Sequence, residues 1–231
     1  MGSTIGSTVF SGSPSPTPSA SPSLPTLEDE TAKGFVPYHQ LTIDDFPIND
    51  QAHSDARFWI KTFVHPYWWA QYRFSRSSIY AYVGGWVVFS GLDKNESSRK
   101  SSVDGMKTDL PYAQALLDIN EIHARRLAAL RPGELPRGEG TSLEATRANL
   151  TKKMKLFCER EYELTQEDMD EFAKSTNKGS NQKKVRELGA EIKKRLSAVP
   201  MPSLSLNDAG NAVATPVATA TASSMGPSQS K

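Results

Sequence analysis

The sequence has a single cysteine, Cys158, among 231 residues. One cysteine excludes an intramolecular disulfide framework and any multi-cysteine zinc site, and it leaves the redox compartment undecided. Long apolar runs are missing too. Nothing approaches the roughly 18 residues that a membrane-spanning helix needs. Met1 to Phe10 lacks both the basic flank and the apolar centre of a signal peptide. There is no excess of charge of one sign: 27 Lys and Arg stand against 26 Asp and Glu, a net charge of +1. So balanced a chain carries neither the electrostatic footprint of a nucleic-acid binder nor the acidity of a solvating protein.

Charge is scarce at both ends. Residues 1–26 hold 17 Ser, Thr or Pro and no charged group, and residues 198–231 carry only Asp208 and Lys231. Segments of this kind bury too little apolar surface to offset their ordering entropy. The expected organisation is a disordered Ser/Pro/Thr-rich linker over residues 1–34, one domain over 35–198, and a disordered Ala/Thr/Ser-rich tail over 199–231. The linker is either a free tail or the remainder of a connection to an export signal or anchor.

Composition divides the domain. Fifteen of the 20 aromatics and all four Trp lie between Phe35 and Phe89, whereas residues 111–197 are rich in Leu, Glu, Lys and Arg. The fold class expected is therefore α+β, with a mostly antiparallel sheet half over 35–110 and a helical half of three to four helices over 111–198. Strands are expected at Tyr38 to Ile43, Arg57 to Val64, Ala70 to Ser75 and Ile79 to Phe89, with a bend or bulge at Gly84-Gly85. Leu116, Ile119, His123, Leu127 and Leu130 repeat at helical spacing up to Pro132-Gly133. Thr141 and Glu144 have capping-box spacing and open a second helix with Leu143, Leu150, Met154 and Phe157 inward. Thr165 and Asp168 mark a fresh start or kink, and Gly179 a left-handed stop. Ser180 is expected to cap the last helix, which turns Val185, Leu188, Ile192 and Leu196 inward and Lys183, Lys184, Lys193 and Lys194 outward.

The candidates for chemistry are few. Glu121 and His123, two residues apart on a helix, project about 200° apart and do not chelate one ion. His123 is expected to be a hydrogen-bonded, half-buried histidine, and Glu121 with Arg125 a surface ion pair. His39, His53 and His65 have no carboxylate grouped near them in the sequence. Cys158 follows Phe157 within a helix, the setting of a buried inert thiol. Gly84-Gly85 and Gly133 to Gly140 lack the strand and helix context of a phosphate loop. Lys152, Lys153 and Lys155 form a solvated face. Among Trp59, Phe63, Tyr67, Trp68, Trp69 and Tyr72, the adjacent Trp68 and Trp69 point to opposite faces of a strand, so one of them is the candidate for an exposed binding face.

The stretch Leu116-Leu117-Asp118-Ile119-Asn120-Glu121-Ile122-His123-Ala124-Arg125-Arg126-Leu127 resembles the signature helix of a bacterial family, domain of unknown function 922. That family is similar to exported, zincin-like metallopeptidases. Its signature reads Leu-Leu-x-His-Glu-Gln-x-His-Phe-Asp-Ile-x-Glu-x-x-Ala-Arg. Leu116, Leu117, Asp118, Ile119, Glu121, Ala124 and Arg125 match its flanks, while a stretch of about seven residues with both histidines and the glutamate is absent. Near the C-terminus the family reads Tyr-Asp-x-Glu-Thr-x-His-Gly, and this chain has Phe172-Ala173-Lys174-Ser175-Thr176-Asn177-Lys178-Gly179. Thr176 and Gly179 remain, and Lys178 stands in the place of histidine. The resemblance spans roughly residues 36–197 and is more specific in the helical half.

Two histidines at i and i+4 share a zinc ion on one helical face, and the intervening glutamate polarises its water. Zinc is thus the cofactor that the resemblance implies for intact relatives, and none is expected here. The resemblance implies a zincin-like fold, export from the cell, and a non-catalytic, metal-free member acting on a protein or peptide partner as a binding or structural module. Two alternatives are an active zinc peptidase using His123 with a sheet histidine, and a damaged gene product without selected function. Loss of about seven residues from the signature would start the helix close to Pro111 and leave it short, or turn Leu116-Leu117 into a new register.

Overall fold

The computed structural model describes residues 24–51, 58–101, 109–201 and 214–215. Its first element is α1 (Leu27–Ala32), capped by Thr26: the Thr26 hydroxyl accepts from the Asp29 amide and the Asp29 carboxylate accepts from the Thr26 amide. This helix falls inside the stretch assigned to the disordered linker. A reciprocal cap and the burial of Glu30 hold it in place, and neither registers in a count of Ser, Thr and Pro.

After α1 come β1 (Phe35–Pro37), a 3-10 turn (Ile43–Asp45), β2 (Phe58–Trp59), β3 (Thr62–Phe74), β4 (Ile79–Asp93) and β5 (Ser98–Arg99). They are followed by α2 (Asp109–Ala128), β6 (Gly138–Gly140), α3 (Leu143–Ser175), α4 (Gln182–Ala198) and β7 (Ala214–Thr215). Sheet first and helices after is the α+β arrangement that the composition predicts. The main sheet is antiparallel in the order β1-β4-β3-β7, with β6 also on β4, and β2 pairs β5 separately.

The strand expectations need correction in three places. Tyr38 to Ile43 forms no strand, because β1 ends at Pro37 and the Asp45 carboxylate draws the chain into a turn by accepting from the Thr42 amide at 2.6 Å. The second and third candidates largely merge into a single element: after the two residues of β2, β3 runs unbroken through Pro66. Proline is tolerated there because β3 has β4 on one side and, among the described residues, only Ala70 and Gln71 paired on the other. The β4 strand continues past Phe89 to Asp93.

The expected bulge is present. Trp69 pairs with Gly85 and Ala70 with Val83, so Gly84 is the extra residue. A Cβ on Gly84 or Gly85 would come within 2.3 or 2.0 Å of the Trp69 indole, which lies across both glycines. Because of the bulge, the odd-numbered Ala81 and Val83 and the even-numbered Trp86 and Ser90 all face the helices. Ala70, Ala81 and Val83 pack with Leu150 and Met154, while the Trp86 indole donates to the Leu127 carbonyl at 3.0 Å. The opposite face carries His65, Tyr67 and Trp69, with α1 seated over His65 and Tyr67.

In the helical half, α3 is one helix of 33 residues rather than two. Thr165 causes no restart: its hydroxyl donates back to the Glu161 carbonyl at 2.9 Å, inside the helix. Ser142, not Thr141, caps α3, and Asn181, not Ser180, caps α4. Gly179 stops the chain as expected with φ +85°, preceded by Asn177 and Lys178 at +49° and +52°. The inward stripe of α4 is buried at Val185, Ile192 and Leu196 and partly buried at Leu188. Helix α2 starts at Asp109, near Pro111, but is 20 residues long rather than short.

Candidate functional site

Helix α2 is enclosed on more than one side. Ala113 and Leu117 join Leu41, Phe46 and Leu92 in one cluster, while Ala115, Ile119 and Ile122 join Met169, Phe172, Ile192 and Leu196 in another. A helix so enclosed buries its polar residues with the rest. Asp118, Asn120, Glu121 and His123 are each no more than 8% exposed. Buried polar groups without partners are costly, so their hydrogen bonds define what this layer can do.

Every one of the four has a partner. Asp118 Oδ1 accepts from the Tyr38 hydroxyl at 2.9 Å and from Gln114 Nε2 at 2.8 Å. Gln114 in turn accepts from the Leu41 amide at 2.7 Å, which fastens the loop after β1 to α2. Asn120 donates to the Phe63 carbonyl at 2.8 Å. Glu121 accepts from the Ser90 hydroxyl on β4 and, at 2.7 Å, from Arg125 Nε. Arg125 lies 5.8 Å from the centre of the Tyr38 ring and donates to the Val199 carbonyl at 3.3 Å, joining the end of α4 to the network. Burial, followed by the nearby carboxylates Asp118 and Glu121, raises the Tyr38 phenol far above its ordinary value and keeps it a donor.

On another side of α2, His123 Nε2 faces Asp168 Oδ2 of α3 at 3.0 Å, and Arg195 of α4 donates to the same oxygen at 3.1 Å. Burial alone would raise the Asp168 carboxyl; the hydrogen bonds from His123 and Arg195 outweigh it and hold the group below its ordinary range. The arrangement joins three helices and leaves His123 engaged, in keeping with the hydrogen-bonded histidine expected, though it is buried rather than half-buried. Glu121 and Arg125 do form the i, i+4 pair expected of them, but with side chains 10% and 12% exposed the pair is interior, not superficial.

The segment 172–179 meets α2 at its first turn, just ahead of the stretch 116–127. The turn over 176–179 rests on Tyr112, where a Cβ added to Gly179 would lie 3.0 to 3.3 Å from the Tyr112 side chain. Tyr112 also stacks on Phe172, with ring centres 5.5 Å apart and planes inclined by 18°. Thr176 is fully buried, donating to the Phe172 carbonyl at 2.7 Å and accepting from the Gly179 amide at 3.3 Å. Lys178 is exposed to solvent. Leu117, Ile119 and Ala124 are core residues, and Leu116 packs partly buried on the second cluster.

The sheet histidines do have carboxylate neighbours, brought there by folding. His39 lies 3.0 Å from Asp45, and His65 Nδ1 lies 2.7 Å from Glu30 on the face away from α2. Glu30 is 1% exposed and also accepts from the Tyr67 hydroxyl at 2.7 Å and from Lys33 Nζ at 2.6 Å. His53 lies outside the described residues. Among the described residues no three His, Cys, Asp or Glu are grouped so that they could hold a metal ion. Burial first, then Glu161 and Glu159, pushes the Cys158 thiol up to about 11, where it is not a nucleophile at neutral pH. Trp68 and Trp69 are both half-buried, so neither is the freely exposed ring expected: Trp68 packs on the helix side and Trp69 over the two glycines.

Sequence reasoning missed Tyr38, Ser90, Tyr112, Glu30 and the Asp168–Arg195 pair. Three polar residues in the four positions 118–121 of a helix otherwise read as apolar were the available sign of a buried network. No protein-family model, no curated protein and no solved structure matches the chain. No helix among the described residues is long and apolar enough to cross a membrane.

Proposed function

We propose that the chain is a non-catalytic, metal-free relative of the zincin-like family that α2 resembles, and that it works as a binding or structural module for a protein or peptide partner. The observation that carries this reading is the Tyr112–Phe172 stack, which packs the first turn of α2, just ahead of the resembling stretch, on the 172–179 segment with aromatic surface. A zinc site needs imidazole or carboxylate donors converging on an open position. Tyr112, Phe172 and Thr176 meet at this junction with the Asp170 carboxylate near Tyr112, no three such donors are grouped there among the described residues, and the hydroxyl of Thr176 is committed to the turn.

The matching residues Asp118, Glu121 and Arg125 support the same reading, since each is engaged in fastening α2 to the sheet, to the loop after β1 or to the end of α4. The peptidase alternative would pair His123 with a sheet histidine. His65 lies across the sheet from α2, and His123 is bound to Asp168. The test is elemental analysis of the full chain after incubation with zinc and exhaustive dialysis. Zinc well below one ion per chain is expected; near-stoichiometric zinc would overturn the proposal and direct the work to peptidase assays.

A further inference from the structure

Helix α3 is divided by charge. Residues 145–155 hold Arg147, Lys152, Lys153 and Lys155 and no acidic group, whereas residues 159–171 hold seven Asp or Glu and a single basic residue, Arg160. Two large apolar side chains stand out to solvent along the same helix, Leu156 at 57% and Tyr162 at 45% exposed. The buried stripe of α3 is turned elsewhere: Leu150 and Met154 pack on the sheet, and Met169 and Phe172 pack with α2 and α4.

The outer face repeats with coiled-coil spacing. Positions 145, 149, 152, 156, 159, 163, 166 and 170 follow one another in steps of four and three and form one seam along the helix. Turned end for end about a twofold axis midway between 157 and 158, this seam falls on itself, so that 152 meets 163 and 156 meets 159. The same rotation sets like flank against like flank. Tyr162 follows Thr151 by eleven residues and Lys155 by seven, which puts the three on one flank. That flank carries a shallow depression lined by Glu144, Arg147, Ala148, Thr151, Lys152 and Lys155. Position 162 of a rotated copy comes level with 153, over the depression.

We propose that the outer face of α3 is an interface between two copies of this chain packed antiparallel, with Tyr162 of each seated in the depression of the other and Lys152 opposite the partner's Glu163. Charge complementarity selects a second copy in this direction, because a parallel pairing would set basic on basic and acidic on acidic. Lys152 makes no ion pair among the described residues. Glu163, 63% exposed, touches Arg160 at 3.2 Å on the surface and is open to a second cation. A tyrosine anchor supplies apolar contact, and the charge blocks fix register and steer encounter. The seam is too polar for a permanent dimer, so the association is reversible and weakened by salt. This inference is independent of whether α2 is catalytically inert, and the zinc content of the chain does not bear on it.

The test is sedimentation velocity of the full chain from low micromolar to millimolar concentration, at low and high salt, with thermal melts to check that each variant is folded. A monomer–dimer equilibrium that loosens as salt rises is expected. Lys152→Glu and Glu163→Lys should each weaken it about tenfold or more, and Tyr162→Ala should weaken it without changing its salt dependence. An equimolar mixture of Lys152→Glu and Glu163→Lys chains should associate more tightly than either alone, since each restores the opposite charge that the other has lost. A chain that stays monomeric throughout would overturn the proposal. So would a dimer indifferent to these substitutions, or a mixture no tighter than its components.

Discussion

Glu30 and Asp168 are carboxylates whose surroundings set the acid stability of the protein. At Glu30, burial alone would raise the pKa; the hydrogen bonds from His65, Lys33 and Tyr67 outweigh it and hold the group below its ordinary 4.5. Asp168 is held below its ordinary 3.8 by His123 and Arg195 against the same opposing effect. A carboxyl lowered in the folded state contributes stability that is complete above its unfolded value and is lost as pH falls through the folded one. The melting temperature should therefore gain nothing from these groups between pH 7 and about 5, then fall below pH 4.5. Glu30→Gln should melt lower than the parent at pH 7 and lose less on acidification. Parallel pH profiles for the two proteins would show that Glu30 does not hold α1 in this way. Removing one partner of an interior ion pair leaves the other charged and unpaired. Glu121→Ala, which strands Arg125, should cost about 3 kcal/mol, or roughly 6–12 °C in a domain of this size. Glu163→Ala, at a pair 59% and 63% exposed, should move the melt by about a degree at most.

The glycines of the hairpin set its element-level tolerance. Gly91 packs against the Val36 carbonyl of β1, where a Cβ would lie 2.0 Å away from backbone, whereas at Gly84 the obstacle is the Trp69 ring, which can shift. Thermal melts should rank Gly91→Ala as the more damaging change and Gly84→Ala as the milder one, both within about 1–3 kcal/mol. Gly133→Ala meets nothing within 4 Å and should be near neutral. The Gly-Gly pair, the α4 stripe and the order of sheet before helices were legible because each is a local pattern. The join across Pro66 and the continuity of α3 were not. Pro66 survives because of where its strand sits in the sheet, and Thr165 because its hydroxyl turns inward to its own helix. Both are decided by context beyond the segment. The buried layer on α2 was hidden for a related reason: apolar spacing identifies one packed face, but α2 is packed on several, so Glu121 and Arg125 look superficial in sequence and are interior in the fold.

At the scale of the whole molecule, α2 is the element to which the others are fastened. Its side chains reach the loop after β1 through Gln114, β3 through Asn120, β4 through Glu121, α3 through His123 and the end of α4 through Arg125. The polar residues of α2 are thus accounted for by architecture, and the Tyr112–Phe172 stack packs the first turn of α2 against α3. If that account holds, zinc has no folded-state site to stabilise. A ligand that binds only the native state at 100 times its dissociation constant adds about 2.7 kcal/mol, several degrees in a domain of this size. The decisive measurement is the melting temperature of the full chain in excess zinc and in excess chelator. Melts that coincide within about a degree are predicted; a rise of several degrees with zinc, reversed by the chelator, would contradict the account.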